Sequence, residues 1–232
     1  MRQVPTPSSE FLSPVDAAHG CSDTGGVKRA TAIRHLVEIA EVASDMLRLR
    51  DSDIGWPVEE LWVDGDVLSF ADSVDAGCVV MVLDVPPEKA PWLVINRAGE
   101  WAGDQLRLGK RPLHWCYRPL GWPVWNHEHR RLVRFWSAGT GLDETVIDAL
   151  QARRFGGLDV VEPATDALAR QLRTELTDSR RHLRQVLERY WDYGWRKRHK
   201  GYDVNPEDHL WRAATAVSDM QDALDELDAR DP

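Results

Sequence analysis

Carboxylates are concentrated in one short part of the sequence, residues 59 to 84, between apolar runs that favour strands. Side chains two apart on a strand share a face, so two carboxylates at that spacing can hold divalent ions for phosphoryl transfer. Asp75 lies just before the apolar run 78 to 83, but the position two residues later is Gly77, which has no side chain. Asp75 is therefore a candidate metal ligand that lacks the second carboxylate.

The chain between the two apolar runs has two interpretations. Asp64-Gly65 is typical of a two-residue turn, which predicts a β-hairpin over residues 59 to 70. Alternatively, Gly65 ends a buried strand, the chain enters a short helix over residues 67 to 71, and Asp75 leads into a second buried strand. Both interpretations stay open on the sequence.

The second interpretation resembles the nucleotidyltransferase superfamily, in which a strand, Gly-Ser, a short helix and Asp-x-Asp follow one another. Here Gly65-Asp66 stands where Gly-Ser would be, and Asp75-Ala76-Gly77 stands where Asp-x-Asp would be. The resemblance covers residues 28 to 120. The sequence departs from the pattern at Asp66, which repels a triphosphate, at Gly77, and in a third carboxylate that has no clear match.

This resemblance implies Mg²⁺ and nucleotide binding at a degenerate metal site. Asp75 would be the catalytic, metal-binding residue, Gly65 and Asp66 would bind the nucleotide, and Arg118 or Arg130 would contact its phosphates. The first function hypothesis is therefore a nucleotidyltransferase-like protein of unknown substrate that binds a nucleotide or a protein partner.

A second stretch, residues 110 to 136, combines basic and aromatic residues, a mixture typical of nucleotide and single-strand nucleic-acid surfaces. The second function hypothesis is a non-catalytic module that binds nucleic acid or protein through this stretch and depends on Arg130 and Arg131. The alternative, which we favour for an acidic chain, is that the rings belong to the core and the arginines stack on them or pair with acids. The basic residues are Lys110, Arg111, Arg118, Arg130, Arg131 and Arg134, and the rings are Trp115, Tyr117, Trp122, Trp125 and Trp136.

Within this stretch, His127-Glu128-His129 suggests a metal site only if the segment is extended. Asn126 is a good helix N-cap, and residues 128 to 135 have helical character, which would splay the two histidines apart. The sequence therefore favours a helix here over a metal site.

The fold class predicted from the apolar spacing is α+β. A small mixed sheet with flanking helices is expected in a domain over residues 28 to 157, followed by a C-terminal helical bundle over residues 163 to 230. Helices are predicted at 28 to 50, at 142 to 153, from Thr165 with a break near Asp178, and from Asn205 to Asp228. Strands are predicted at 105 to 108 and 113 to 117, and residues 92 to 95 as either helix or strand.

Composition limits the setting of the protein. The net charge of −9 argues against general affinity for nucleic acid, although a local patch can override the total. Cys21, Cys78 and Cys116 are far apart without metal-ligand spacing, which favours a reducing cytoplasm. Residues 1 to 26 are predicted to be disordered, with no secretory signal, and the native start is hypothesised at residue 27. No stretch reaches the ~20 apolar residues of a membrane helix.

The chain also resembles an uncharacterised bacterial family known as a domain of unknown function. Three stretches carry this resemblance, KRATAIRHLVEIA from residue 28, WPVWNHEHRRLVRFW from residue 122 and PEDHLWRAATAV from residue 206. The resemblance implies no activity.

Overall fold

The computed structural model describes residues 26–48, 56–200 and 204–230. The expected disorder of the first 26 residues and the hypothesised start therefore concern residues that, apart from Gly26 and Val27, lie outside the described part. The strands in the described part are β1 Val27–Lys28, β2 Val58–Gly65, β3 Ser73–Val74, β4 Gly77–Leu83, β5 His114–Pro119, β6 Val133–Ser137 and β7 Gly141–Leu142. The α-helices are α1 Arg29–Leu47, α2 Arg97–Gln105, α3 Glu144–Gln151, α4 Thr165–Arg189, α5 Tyr193–Arg198 and α6 Pro206–Arg230.

A five-stranded mixed sheet lies at the centre, in the order β5-β4-β2-β6-β7. β4 and β5 run parallel, and every other neighbouring pair in this sheet is antiparallel. β1 and β3 pair in a separate two-stranded ladder. A parallel pair cannot be joined by a tight turn, and the connection from β4 to β5 accordingly includes α2.

The two faces of the sheet are covered by different helices. Alternate residues of β4 point to opposite faces, so Val79, Met81 and Leu83 join one apolar cluster and Cys78, Val80 and Val82 join another. The first cluster includes buried side chains of α1 and α3, and the second includes buried side chains of α4 and α6. A fully buried strand needs apolar residues at every position, which explains the unbroken apolar run of β4.

The structure confirms the predicted α+β class, with a mixed sheet and a helical C-terminal region. The β2 strand runs through Asp64-Gly65 without turning, so the predicted two-residue turn at that position is wrong. β2 and β4 do form an antiparallel pair, with Gly65 opposite Gly77, and residues 66 to 76 make the wide connection. A 3-10 helix at Asp66–Leu68 replaces the short helix expected at residues 67 to 71.

Three other local predictions are corrected. Residues 105 to 108 are not a strand, because α2 ends at Gln105 and a 3-10 helix follows at Leu108–Lys110. Residues 92 to 95 are neither helix nor strand. The long helix α4 is continuous through Asp178, where a break was expected.

The helices α4 and α6 form an antiparallel hairpin. Contacts along it run in opposite directions, from Arg173 with Asp228 at one end to Tyr190 with Glu207 at the other. The hairpin shares an apolar cluster with the sheet, while the division into domains at residues 157 to 163 stays a prediction. None of the described helices has an apolar stretch long enough to cross a membrane.

Candidate functional site

The turn that carries Gly65 and Asp66 is held together by bonds within the protein. The Asp66 carboxylate accepts hydrogen bonds from the backbone N–H groups of Asp75 and Ala76, at 3.1 and 3.0 Å. Arg29, at the start of α1, donates to four backbone carbonyl oxygens of residues 66 to 71. The conformation of this predicted nucleotide-binding turn is therefore fixed by its own acid and by Arg29.

Asp75 is exposed on this turn, and the neighbouring carboxylate, that of Asp66, is already bonded to the backbone N–H groups of Asp75 and Ala76. Among the described residues, the only group of three or more His, Cys, Asp or Glu side chains with metal-binding geometry lies elsewhere, at Cys78, Cys116 and His129. The predicted roles of Asp75 in catalysis and Mg²⁺ binding stay predictions without a geometric counterpart.

Arg118 is buried between the sheet and the helices that cover it, with 1% of its surface exposed. Its guanidinium forms a two-point ion pair with the buried carboxylate of Glu175 on α4, at 2.7 and 2.5 Å. It also donates to the carbonyl oxygens of Pro123 and Trp125. The guanidinium N–H groups that a phosphate contact would need are therefore already bonded to protein acceptors. Arg118 pairs with Val82, which lies roughly 16 Å along β4 from Gly77, the first residue of the strand after Asp75.

Most of residues 110 to 136 follow the alternative in which rings belong to the core and arginines have protein partners, while Arg131 is exposed. Trp115 and Trp136 are buried. Arg134 lies over the ring of Trp62 and pairs with Glu60, and Arg111 pairs with Glu38. Arg130 donates to the carbonyl oxygen of His127 at 2.9 Å.

The helix predicted over residues 128 to 135 is absent, because β6 occupies Val133–Ser137 and pairs with β2. The capping chemistry of Asn126 is present, since its side-chain oxygen accepts from the N–H groups of Glu128 and His129. It caps a single turn, and the chain then enters the strand. This turn directs His129 toward the sheet.

Three adjacent strands and this turn bring four polar side chains together under the helical layer. Asp64 of β2 lies opposite Cys78 of β4, and Cys116 comes from the parallel neighbour β5. The Nε2 atom of His129 lies 3.6 Å from the sulfur of Cys78, and its Nδ1 atom lies 3.0 Å from a carboxylate oxygen of Asp64. The ligand atoms of Cys78, Cys116 and His129 all lie within 4.8 Å of one another. We call these three residues the Cys-Cys-His cluster.

The charges inside the cluster are strongly perturbed. A hydrogen bond with Cys78 lowers the pKa of the Cys116 thiol, and the charge of His129 reinforces this against the effect of burial, to about 5. Burial lowers the pKa of His129, but the Cys116 thiolate and Asp64 outweigh it and raise that pKa to about 10. Both shifts favour the proton on His129 over the proton on Cys116.

A buried thiolate has two chemical uses, as a nucleophile or as a metal ligand. A nucleophile must meet its substrate, but Cys116 is 1% exposed and Cys78 is 6% exposed. The geometry therefore suits ligation better than catalysis.

Sequence reasoning missed this cluster because it judged Cys78 and Cys116 by their distance along the chain. Both cysteines fall in runs that were predicted as strands. Same-face residues of neighbouring strands approach each other whatever their separation in sequence, and this was the sign that could have found the pair.

A different kind of site lies at the exposed end of the helical hairpin. Trp191 is 83% exposed and Tyr193 is 78% exposed, although aromatic rings are normally covered. Arg196 lies over the rings of Tyr190 and Trp191, at 5.0 and 5.8 Å, and pairs with Glu207. Beside them is a pocket of ≈ 350 Å³. The residues that line it are Tyr193, Arg196, Lys197, Lys200, Asn205, Pro206 and Glu207. We call this region, with Trp191, the Trp191 surface.

The segment that carries the Trp191 surface is basic within an acidic chain. Residues 180 to 200 contain eight arginines and lysines and two acids, whereas the whole chain has a net charge of −9. In the described part of the chain, Lys197 and Lys200 form no ion pair. The segment therefore concentrates positive charge next to exposed rings.

His199 and His209 pack against Trp195 at the base of this end of the hairpin, and His182 lines the same pocket. The environment of these histidines predicts a pH effect. Burial lowers the pKa of His209 to about 4, and the charges of His199, His182 and Arg212 add to this while Asp208 opposes it. Burial also lowers the pKa of His182. Histidine in an unfolded chain has a pKa near 6.5, so the unfolded state binds more protons between pH 6.5 and 4. Stability is therefore fully present above pH 6.5 and is lost as the pH falls through this window.

When the pH is lowered from 7 to 5, we expect the melting temperature of His209→Gln to fall by less than that of the unchanged protein. Glutamine stays neutral, so the proton-linked loss at this position disappears. Thermal unfolding followed by circular dichroism at both pH values measures the two falls in melting temperature. They should differ by a few degrees, because 1 kcal/mol corresponds to about 2–4 °C in a protein of this size. Equal losses in the two proteins would contradict the assignment to His209.

The fold and these sites define an α+β protein with helices on both faces of a mixed sheet, a buried Cys-Cys-His cluster and a basic aromatic end on its helical hairpin. The chain belongs to the family described as Domain of unknown function (DUF7711), which matches residues 27–226. This match includes all three stretches on which the resemblance to such a family was based. No curated protein and no solved structure matches the chain.

Proposed function

We propose that this protein is a non-catalytic module that binds single-stranded nucleic acid through the Trp191 surface. The observation that carries the proposal is a pair of exposed rings, Trp191 at 83% and Tyr193 at 78%, next to a pocket lined by Lys197 and Lys200, which form no ion pair with the described residues. The proposal keeps the class of the second function hypothesis and moves its surface from residues 110–136 to the end of the helical hairpin.

Exposed rings are the first support for this proposal. Trp191 and Tyr193 present ring surface to solvent, and bases of any sequence can stack on such a surface for ~1–3 kcal/mol each. Tyr190 packs edge-on against Trp191 with ring centroids 5.1 Å apart, which supports the indole from one side. A supported ring loses less side-chain entropy when a base stacks on it.

Positive charge beside the rings is the second support. Lys197 and Lys200 line the pocket next to Tyr193, and a phosphate backbone that tracks past the rings would meet them there. Arg196 keeps its guanidinium over two rings by pairing with Glu207. It therefore acts as a support for the stacking surface, and the two lysines supply the charge for phosphates.

The transferase hypothesis has no comparable support. Asp66 is used to close its own turn, Arg118 is used by Glu175, and Asp75 belongs to no metal-binding group of three or more ligands in the described part of the chain. Nucleotide binding at that turn stays a prediction.

We expect Trp191→Ala to weaken binding of a short labelled oligonucleotide by roughly 5–150-fold, the equivalent of one lost stacked base. We expect the double variant Lys197→Ala/Lys200→Ala to reduce the slope of log affinity against log salt by about 1.4, because each phosphate contact contributes about 0.7 for single strands. Fluorescence anisotropy with single-stranded DNA and RNA across a salt series measures both effects.

Phe70→Ala is the matched control for the ring, since Phe70 is 72% exposed on the far side of the sheet from the hairpin's cluster, beside Phe155. Arg130→Ala/Arg131→Ala is the control for charge and tests the stretch 110–136 directly. Binding that falls only in the Arg130/Arg131 variant would assign recognition to that stretch instead. Failure to bind any oligonucleotide at low salt, with binding of an acidic peptide, would replace the proposal by one for a protein partner.

A further inference from the structure

We propose that Cys78, Cys116 and His129 bind a zinc-class metal ion beneath the helical layer. This inference is independent of the proposed nucleic-acid binding, because it rests on a buried cluster that does not include any residue of the Trp191 surface. The ion is structural and joins the turn at residues 126 to 130 to the strands β4 and β5.

The placement of the three ligands supports the proposal. Two sulfurs and one imidazole nitrogen lie within 4.8 Å of one another, with no bond between the two cysteines. Ligand atoms around a tetrahedral zinc ion lie ~3.3–3.8 Å apart, given bond lengths of ~2.0–2.3 Å. The separations in the protein need only a small contraction, and rotation about the side-chain bonds provides it.

A carboxylate orients the histidine as metal sites require. His129 contacts the cluster through Nε2 and reaches Asp64 through Nδ1, at 3.0 Å. Metal-binding histidines almost always donate their second ring N–H to a carboxylate, a carbonyl or water, which fixes the ring and the tautomer. Asp64 is therefore a positioning residue for this site.

His127 is a second sign that a group belongs here. It is 7% exposed, and neither ring nitrogen has a hydrogen-bond partner among the described residues. Buried polar groups are normally satisfied, so an imidazole without a hydrogen bond at either nitrogen is unusual; a Glu128 carboxylate oxygen lies 3.9 Å from Nε2. It lies on the same turn as His129, and both rings contact Trp92 edge-on.

The ligand types select the class of ion. Thiolates and imidazoles prefer zinc and related soft or borderline ions, whereas Mg²⁺ prefers carboxylates, carbonyls and water. The low exposure of both sulfurs, 6% and 1%, removes the open access that a catalytic zinc needs. A structural zinc ion is the interpretation that accounts for both observations.

The test is metal content and binding by the full chain. We expect the protein, purified with ZnCl₂ and desalted, to retain one zinc per chain by mass spectrometry. With CoCl₂, a thiolate-to-cobalt charge-transfer band is expected. Cys78→Ala, Cys116→Ala and His129→Ala should each weaken zinc binding by more than ~100-fold in competition with a chromogenic chelator, and Asp64→Asn by ~10–100-fold.

Two controls separate ligation from folding. Cys21→Ala removes the remaining cysteine and should keep the zinc. Val80→Ala removes a buried side chain from the same face of β4 without removing a ligand, and should also keep the zinc while lowering the melting temperature. Adding EDTA should lower the melting temperature of the unchanged protein and leave that of Cys116→Ala unaltered.

Several results would overturn the proposal. The first is a desalted protein without zinc that also fails to take up cobalt. The second is cobalt binding without a thiolate band, which would place the ion elsewhere. The third is equal zinc loss in Val80→Ala and Cys116→Ala, which would make the effect one of folding.

Discussion

Replacing Arg118 by methionine is expected to lower the free energy of unfolding by ~3–5 kcal/mol. The substitution leaves the Glu175 carboxylate, which is fully buried, without its cation. It also leaves the carbonyl oxygens of Pro123 and Trp125 without the donors they now have. Urea unfolding followed by tryptophan fluorescence measures the loss.

The double variant Arg118→Met/Glu175→Leu should recover most of that stability, because a buried ion pair can be replaced by apolar groups at little net cost. Recovery should stay incomplete, since the two carbonyl oxygens keep a desolvation penalty. Arg134→Met is the matched control. It breaks an ion pair with Glu60 in which Arg134 is 49% exposed, and should cost less than about 1 kcal/mol. A similar small loss for Arg118→Met would show that its guanidinium is free enough for a ligand.

Gly65→Ala is the substitution with the second large effect, and we expect it to cost at least about 3 kcal/mol. Gly65 has φ +82° and ψ −148°, a backbone region that is essentially restricted to glycine and costs ~1–3 kcal/mol for other residues. A Cβ atom there would also lie 1.8 Å from the carbonyl oxygen of Ala76. The backbone of the turn would have to move.

Substitutions at two other glycines separate the cost of the backbone conformation from the cost of the contact with Ala76. Gly141 has φ +73° and open space around its notional Cβ, so Gly141→Ala should show the backbone cost alone, about 1 kcal/mol. Gly139 has open space and an ordinary backbone, and Gly139→Ala should be close to neutral. If chemical unfolding gave Gly65→Ala and Gly141→Ala the same loss in free energy of unfolding, the contact with Ala76 would contribute nothing to the cost.

Much of the architecture was predictable because local patterns and tertiary structure agree. The apolar run 78 to 83 became a strand buried on both faces, and the stripe over residues 28 to 50 became the helix Arg29–Leu47. Asn205 and Pro206 marked the start of the last helix within one residue. In each case the pattern reflects the surface that the element buries.

The predictions that failed are those in which strand pairing overrode the local preference of the sequence. Asp64-Gly65 favours a turn, yet pairing with β4 keeps Asp64 in the strand and the bend follows Gly65. Asn126 makes the hydrogen bonds of a cap as expected, but the β-favouring residues after its turn pair with β2, so no helix forms there. The Trp191 surface could not be predicted in this way, because a basic run at a helix C-terminus, such as residues 196 to 200, is already favoured by the helix dipole and needs no ligand.

The Cys-Cys-His cluster was beyond local reasoning. Its members come from three separate segments, and only the parallel pairing of β4 with β5 brings the sulfurs together. No spacing of cysteines along the chain encodes that pairing. The strand predictions contained the necessary information, but only in combination with the order of strands in the sheet.

The parallel pairing of β4 and β5 also has a consequence for folding. Cys78 and Cys116 can meet only after the intervening crossover has closed, and closure of a long loop must precede the contacts that compensate for its entropy. Non-local pairings of this kind form slowly. The cluster should therefore assemble only after β4 and β5 have paired, so a chain that has trapped an ion there has already closed this crossover.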